Sequence, residues 1–177
     1  MTTRKLVLMA LFIAMGIVLP IGFHIFGDVA RVLSPMHIPV FIGGALLGPS
    51  AGLIIGALTP LLSSLFTGMP PVLPMLPMMF VELAIYGALT GYLFKVKKYN
   101  IFVSLLISML IGRIGCGIVV WILVHLFKFS GLEGNLLIYI SGTIIKGLPG
   151  IVLHLILVPI VVKYLINTGY FKETSTS

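Results

Sequence analysis

Charge is what this sequence has least of. Four acidic and eleven basic residues amount to 8% of 177 residues, against 59% hydrophobic, where soluble domains carry roughly 25% charged residues. That supply cannot cover a surface in wettable groups, so the composition excludes a soluble globular domain and predicts an integral membrane protein. Cysteine is nearly missing as well. Cys116 lies without a partner in an apolar run, which excludes a disulfide framework and a cysteine zinc site and leaves it as a small packing residue. No GxxxxGK[ST] stretch cradles phosphates, so the chain does not hydrolyse ATP by that route. Nor is there a clear inverted repeat of interrupted helices, the framework of many secondary transporters. The four histidines show neither HExxH nor i,i+4 spacing, and each reads as an interfacial or hydrogen-bonded residue. No cofactor and no metal is expected.

What the sequence does have is apolar length. A hydrocarbon core of about 30 Å needs about 20 apolar residues of α-helix, and runs such as "IFVSLLISMLIG" do not alternate as barrel strands would. The expected fold is all-α, a single six-helix transmembrane bundle over residues 1–177. Its segments run from Lys5 to Phe23, from Ile38 to "GPSAG", from Ala51 to Phe66, from Pro77 to Phe94, from Ile101 to Phe127 and from Leu136 to Ile166. The first begins like a signal peptide but continues without a small-residue cleavage site, so it reads as a permanent helix. The second, at about 11 residues, is too short to span upright and must be irregular or share its span with neighbours. "HIFGDVARVLSPMH" reads as a surface loop, "TGMPPVLPMLP" as a helix-breaking connection, and residues 168–177 as a flexible cytoplasmic tail.

Basic residues set the orientation, because they accumulate in short cytoplasmic loops. With both termini inside, Arg4, Lys5, Lys95, Lys97, Lys98, Lys163 and Lys172 fall in the cytoplasm of a bacterial cell, leaving Arg31 and Lys128 outside. The net charge of +7 therefore reports topology in a plasma membrane and makes no case for nucleic acid.

Three charges remain within the spans. Glu82, Arg113 and Lys146 all fall in the outer half at 1.5 Å rise per residue. Each costs about 2.5–3.5 kcal/mol at a central position and normally faces a bundle interior or a wet cavity, so the three should face one another. Helical spacing groups Met75, Met78 and Tyr86 with Glu82, Tyr139 and Gly142 with Lys146, and Gly117 and Val120 with Arg113, with Trp121 toward the edge of that face. His24 and His37 bracket the first outer loop, His125 lies near the outer end of the fifth segment and His154 deeper in the sixth. The candidate ligand-binding set is Glu82, Tyr86, Arg113, Trp121, His125, Tyr139, Lys146 and His37. Two bases against one acid favour a ligand bearing a carboxylate or phosphate, with Arg113 the better bidentate partner. The competing reading is a salt-bridge network that only orients helices.

One further pattern is "MALFIAMG" at residues 9 to 16. Ala10 and Ala14 stand one turn apart, a small-xxx-small seam of the kind that lets helix backbones approach closely in lipid, either inside the bundle or against a partner.

That seam, the six segments, the long first outer loop and residues 34 to 71, "SPMHIPVFIGGALLGPSAGLIIGALTPLLSSLFTGMPP", together resemble the substrate-binding S component of an energy-coupling factor (ECF) transporter over essentially the whole chain. The resemblance implies that Ala10 and Ala14 contact the transmembrane coupling subunit, that segments two and three support that face, and that two ATPase subunits supply the nucleotide chemistry. It implies a vitamin bound among the outer ends of helices 4 to 6 and the first outer loop, an uptake cycle in which the S component topples in the bilayer, and no enzymatic activity. Pantothenate is the first choice of ligand, since its carboxylate suits Arg113 or Lys146. Pyridoxine, a hydroxymethylpyrimidine or thiamine would lean on Glu82 and aromatic stacking, and cobalamin would need a wider mouth. Two other classes compete. A proton-coupled transporter would use Glu82 as its proton carrier, and a membrane-embedded enzyme would want paired acids, a Ser/His or Cys/His arrangement, or metal ligands.

Overall fold

A computed structural model describes residues 2–23, 33–129, 132 and 135–169. Among these residues six α-helices follow in order: α1 Thr3–Phe23, α2 His37–Leu47, α3 Pro49–Thr67, α4 Met75–Gly91, α5 Ile101–His125 and α6 Leu136–Asn167. There is no strand among the described residues. Five of the helices are long and apolar enough to cross a membrane, and α2 is the exception. The expected all-α membrane bundle is therefore observed, with helix ends within a few residues of those expected. His24, Arg31, Lys172 and most of the expected tail lie outside the described residues.

The short second segment organises the bundle. All eleven residues of α2 are buried, and a helix apolar on every side belongs inside protein rather than against lipid. At about 16 Å long it does not need to reach both membrane faces, because its neighbours satisfy its ends. Gly48, at φ 94°, turns the chain directly into α3, whose first residue is Pro49, a residue preorganised for a helix start. The Gly48 N–H donates to Gly44 O at 2.9 Å, and Lys95 Nζ donates to Leu46 O at 2.9 Å, placing a cation on the negative end of the helix dipole. Lys95 comes from a π-helical turn, Tyr92–Val96, that continues α4. Lys97 and Lys98 follow it, and Lys163 near the end of α6 lies 6.0 Å over the ring of Phe102 at the start of α5. This is the basic end of the bundle.

Helices α2, α3 and α4 meet backbone to backbone. A Cβ on Gly52 would run into the carbonyl of Gly87, and a Cβ on Gly87 into that of Gly52. Lipid offers no hydrophobic drive between helices, so close approach of this kind, with its dispersion and Cα–H···O contacts, supplies the cohesion. Helix α5 joins through a buried hydroxyl chain: Thr90 Oγ1 donates to Ser108 Oγ at 3.0 Å, which donates to Ser104 O at 2.6 Å. Helix α1 turns Met9, Phe12, Ile13 and Gly16 inward at helical spacing and leaves Ala10 and Ala14 exposed on its outer side. Packing of α6 is uneven. Gly150, His154, Val158 and Val162 form a buried stripe, whereas no residue from Leu137 to Pro149 is buried.

Gly87→Ala and Gly52→Ala are expected to lower stability by about 1–3 kcal/mol each through overpacking. Gly142→Ala, with nothing within 4 Å of its new methyl, should match or slightly exceed the parent. Thermal unfolding of purified protein in detergent compares the three.

Candidate functional site

The site is built around Arg113 on α5. Gly112, beside it, leaves the space that the Tyr86 ring of α4 fills, which brings the polar side of α4 against α5. Arg113 Nη1 then lies 3.0 Å from Glu82 Oε1, and the same oxygen accepts a hydrogen bond from the Tyr86 hydroxyl at 2.6 Å. The two charged side chains are 19% and 6% exposed. On its other side the guanidinium reaches α6, where a methyl added to Gly147 would stand 3.1 Å from Nη2. Its Nε is buried with no hydrogen-bond partner. Arg113 thus bridges α4 and α6, its charge matched by Glu82 and one donor left over.

A second group of residues sits where α2 begins. Ser34 has φ 47°, a left-handed backbone that costs a non-glycine residue about 1–3 kcal/mol. Its carbonyl oxygen lies 3.1 Å from His37 Nδ1 and 3.3 Å from His154 Nε2. A carbonyl only accepts, so both ring nitrogens donate to it. The two imidazoles are buried with centroids 5.6 Å apart, and each also meets the aromatic pair of Tyr86 and Phe41: His37 lies 5.5 Å from Tyr86, His154 lies 5.6 Å from Phe41, and Phe41 stacks on Tyr86 at 4.9 Å. Ser34, His37, Tyr86, Arg113 and His154 line one cavity, bounded on the α6 side by Gly147 and Gly150. Its free volume is about 10 Å³, near the threshold for one water molecule.

The structure brings Glu82, Tyr86, Arg113 and His37 together, and corrects the placement of others. Lys146 is exposed on α6 and does not face Glu82 or Arg113. The inward stripe of α6 passes through Gly147 instead, and a step of one residue turns a side chain about 100° around the helix. Trp121 and His125 also turn outward: Trp121 is 49% exposed, and the two rings stack on each other at 4.9 Å away from the cavity. Counting from Arg113, both have drifted off its face, and Val120 and Leu123 take the buried positions. Tyr139 is half-buried, its hydroxyl 3.5 Å from Cys116 Sγ. Met75, grouped with Glu82 by spacing, is 51% exposed. The expected surplus of positive charge is thereby removed, since one acid faces one base. The cavity that these residues line among the described residues has space for about a single water.

Sequence reasoning passed over His154 and Ser34. The former had a readable signal, since Gly147, Gly150 and His154 share a helical face on which two missing side chains leave space beside an imidazole. Nothing in the sequence marks the carbonyl of Ser34. No group of three His, Cys, Asp or Glu among the described residues could hold a metal ion.

The fold is thus an all-helical membrane bundle with a small polar cavity between four of its helices. The model of one family, described as "ECF transporter, substrate-specific component", matches residues 4–162, and the chain belongs to that family. It is thus the substrate-binding component of an ECF transporter, a transport protein whose family works with a membrane-embedded component and ATPase subunits. No curated protein and no solved structure matches the chain.

Removing either partner of the Glu82–Arg113 pair strands the other charge in a buried site, which typically costs about 3–5 kcal/mol. Glu82→Leu and Arg113→Met should each lose stability on that scale, and the double variant Glu82→Leu/Arg113→Met should lose far less than their sum. Lys146→Ala should stay within about 0.5 kcal/mol of the parent, as surface substitutions usually do. A double-mutant cycle on unfolding midpoints in detergent checks all of these.

Proposed function

We propose that this chain captures a small water-soluble vitamin at the outer side of a bacterial plasma membrane and passes it inward through an ATP-driven complex with a transmembrane coupling subunit and two ATPases. The observation that carries the reading is the cavity itself: polar groups from α2, α4, α5 and α6 converge in the half of the bundle away from its basic end. With the basic end cytoplasmic, by the rule for short loops, the cavity belongs to the outer half. Of the α6 residues that line it, Gly147 belongs to the stretch from Leu137 to Pro149, where no residue is buried. Segments with few buried contacts open at the lowest free energy, so a solute larger than water would enter past that stretch. Of the two cations expected to suit the carboxylate of pantothenate, Lys146 is exposed on α6 and Arg113 is paired with Glu82, so pantothenate would have to draw Arg113 away from that carboxylate.

Docking to the coupling subunit falls to α1. Ala10 and Ala14 are exposed, so their seam is not consumed within the bundle, and small residues on an outward face suit close approach by another membrane helix. Glu82, which a proton-coupled transporter would use as its carrier, pairs with Arg113 and accepts from Tyr86.

Two outcomes test the reading. In proteoliposomes, vitamin uptake should require the coupling subunit, both ATPases and ATP, and uptake by this chain alone under a proton gradient would overturn it. Ala10→Trp and Ala14→Trp should leave vitamin binding by the purified chain intact while abolishing copurification with the coupling subunit and uptake. Normal assembly of both variants would remove the seam from that role.

A further inference from the structure

The basic end of the bundle gathers cations that no carboxylate among the described residues answers. Lys95 leaves the π-helical turn after α4 with its side chain beside the Gly48 turn, where a methyl added to Gly48 would stand 3.4 Å from Cδ, and its Nζ ends on Leu46 O at 2.9 Å. Lys5 of α1 and Lys98 lie within electrostatic reach of that ammonium. The chain then folds back on itself. Lys97 N–H donates to Tyr92 O and Tyr99 N–H donates to Leu93 O, both at 2.9 Å, so Lys97 and Lys98 are tethered to the end of α4. Lys98 is held there at φ 60°, a left-handed backbone that is costly for a residue with a side chain. Lys97 Nζ sits 5.7 Å over the ring of Tyr92, and Lys163 Nζ sits 6.0 Å over that of Phe102. A ring face attracts a cation but leaves its charge uncancelled. Glu82 is the one acid among the described residues, and it is paired with Arg113 about 20 Å along α4 from Lys95. Like charges brought together by the fold repel one another, and an anion from outside the chain is what relieves them.

The depth of the cluster selects that anion. Its lysines stand at the ends of membrane-crossing helices, and the exposed rings of Tyr92, Tyr99, Phe102 and Tyr164 share that end, as aromatic side chains do at the level of the headgroups. We propose that this end of the protein binds anionic phospholipids of the cytoplasmic leaflet, with the ammonium groups of Lys5, Lys97, Lys98 and Lys163 contacting headgroup phosphates. The inference goes beyond the importer reading and needs only the orientation of the basic end. Each lysine close to an anionic membrane surface contributes about fivefold in affinity. Four of them hold this end in the headgroup layer, and any tilt of the bundle has to draw them out of it.

Native mass spectrometry of the purified full chain, delipidated in detergent and titrated with phosphatidylglycerol or with phosphatidylcholine of the same acyl chains, tests this. Phosphatidylglycerol should bind roughly tenfold or more tightly than phosphatidylcholine. The double variant Lys97→Gln/Lys98→Gln should weaken phosphatidylglycerol binding roughly tenfold or more and leave phosphatidylcholine unchanged. Lys97→Arg/Lys98→Arg keeps the charge and should keep the affinity, as should Lys146→Gln on the other half of α6. Thermal unfolding in the same detergent shows which variants are folded. Should the glutamine pair fail to fold, Lys163→Gln carries the comparison, with a loss of roughly fivefold expected. Equal affinity for the two lipids, unchanged phosphatidylglycerol binding in the folded charge variants, or displacement of the lipid by inorganic phosphate at equal concentration overturns the proposal. So does a glutamine pair that binds lipid normally but no longer copurifies with the coupling subunit and ATPases, since its cations then serve an acidic face of a protein partner.

Discussion

A carboxylate and a guanidinium 3.0 Å apart inside a membrane bundle constrain everything near them. Neither charge is tolerable alone in that medium, so α4 and α5 are held at the register that joins Glu82 to Arg113. The Tyr86 ring can occupy its place only because residue 112 has no side chain, and the hydroxyl of that ring then shares the carboxylate oxygen. The pair thus fixes the site's geometry and at the same time removes its net charge.

Helix count, most boundaries and the confinement of charge to a few intramembrane positions are legible in the sequence, because lipid restricts the chain to long apolar helices and penalises every ionisable side chain within them. The incomplete second segment is legible too: its length excluded an upright span, and its burial on all sides is the physical solution. Helical phase was harder to read. Lys146 stands one position from Gly147, and without knowledge of which stripe of α6 faces inward the lysine attracts attention that belongs to the glycine beside it. Trp121 shows the same difficulty over a longer distance, since drift from Arg113 accumulates with each turn. The carbonyl of Ser34 had no sequence signature at all, because its role depends on backbone geometry and on a histidine 120 residues away in the chain.

The bundle divides into a stiff part and a yielding part. Where α2, α3 and α4 meet there are backbone atoms on both sides, and backbone cannot change rotamer to make room, so that trio moves as one piece. The half of α6 away from the basic end has the opposite character, with no buried residue from Leu137 to Pro149. Burial resumes at Gly150, and His154, one turn further on, is held by the carbonyl of Ser34.

The same division bears on how a partner on α1 would influence the site. Phe12 packs against Gly43 in the middle of α2, and α2 carries His37 at its first position. Pressure on the outer side of α1 therefore meets the stiff part, which has two ways to respond: to deform, or to move whole. Deformation would drive side chains into carbonyls at the glycine contacts, whereas whole-body movement disturbs only the lipid around the bundle. In the proposed complex, a coupling subunit docked on α1 would therefore reorient this protein as a body more readily than squeeze its cavity.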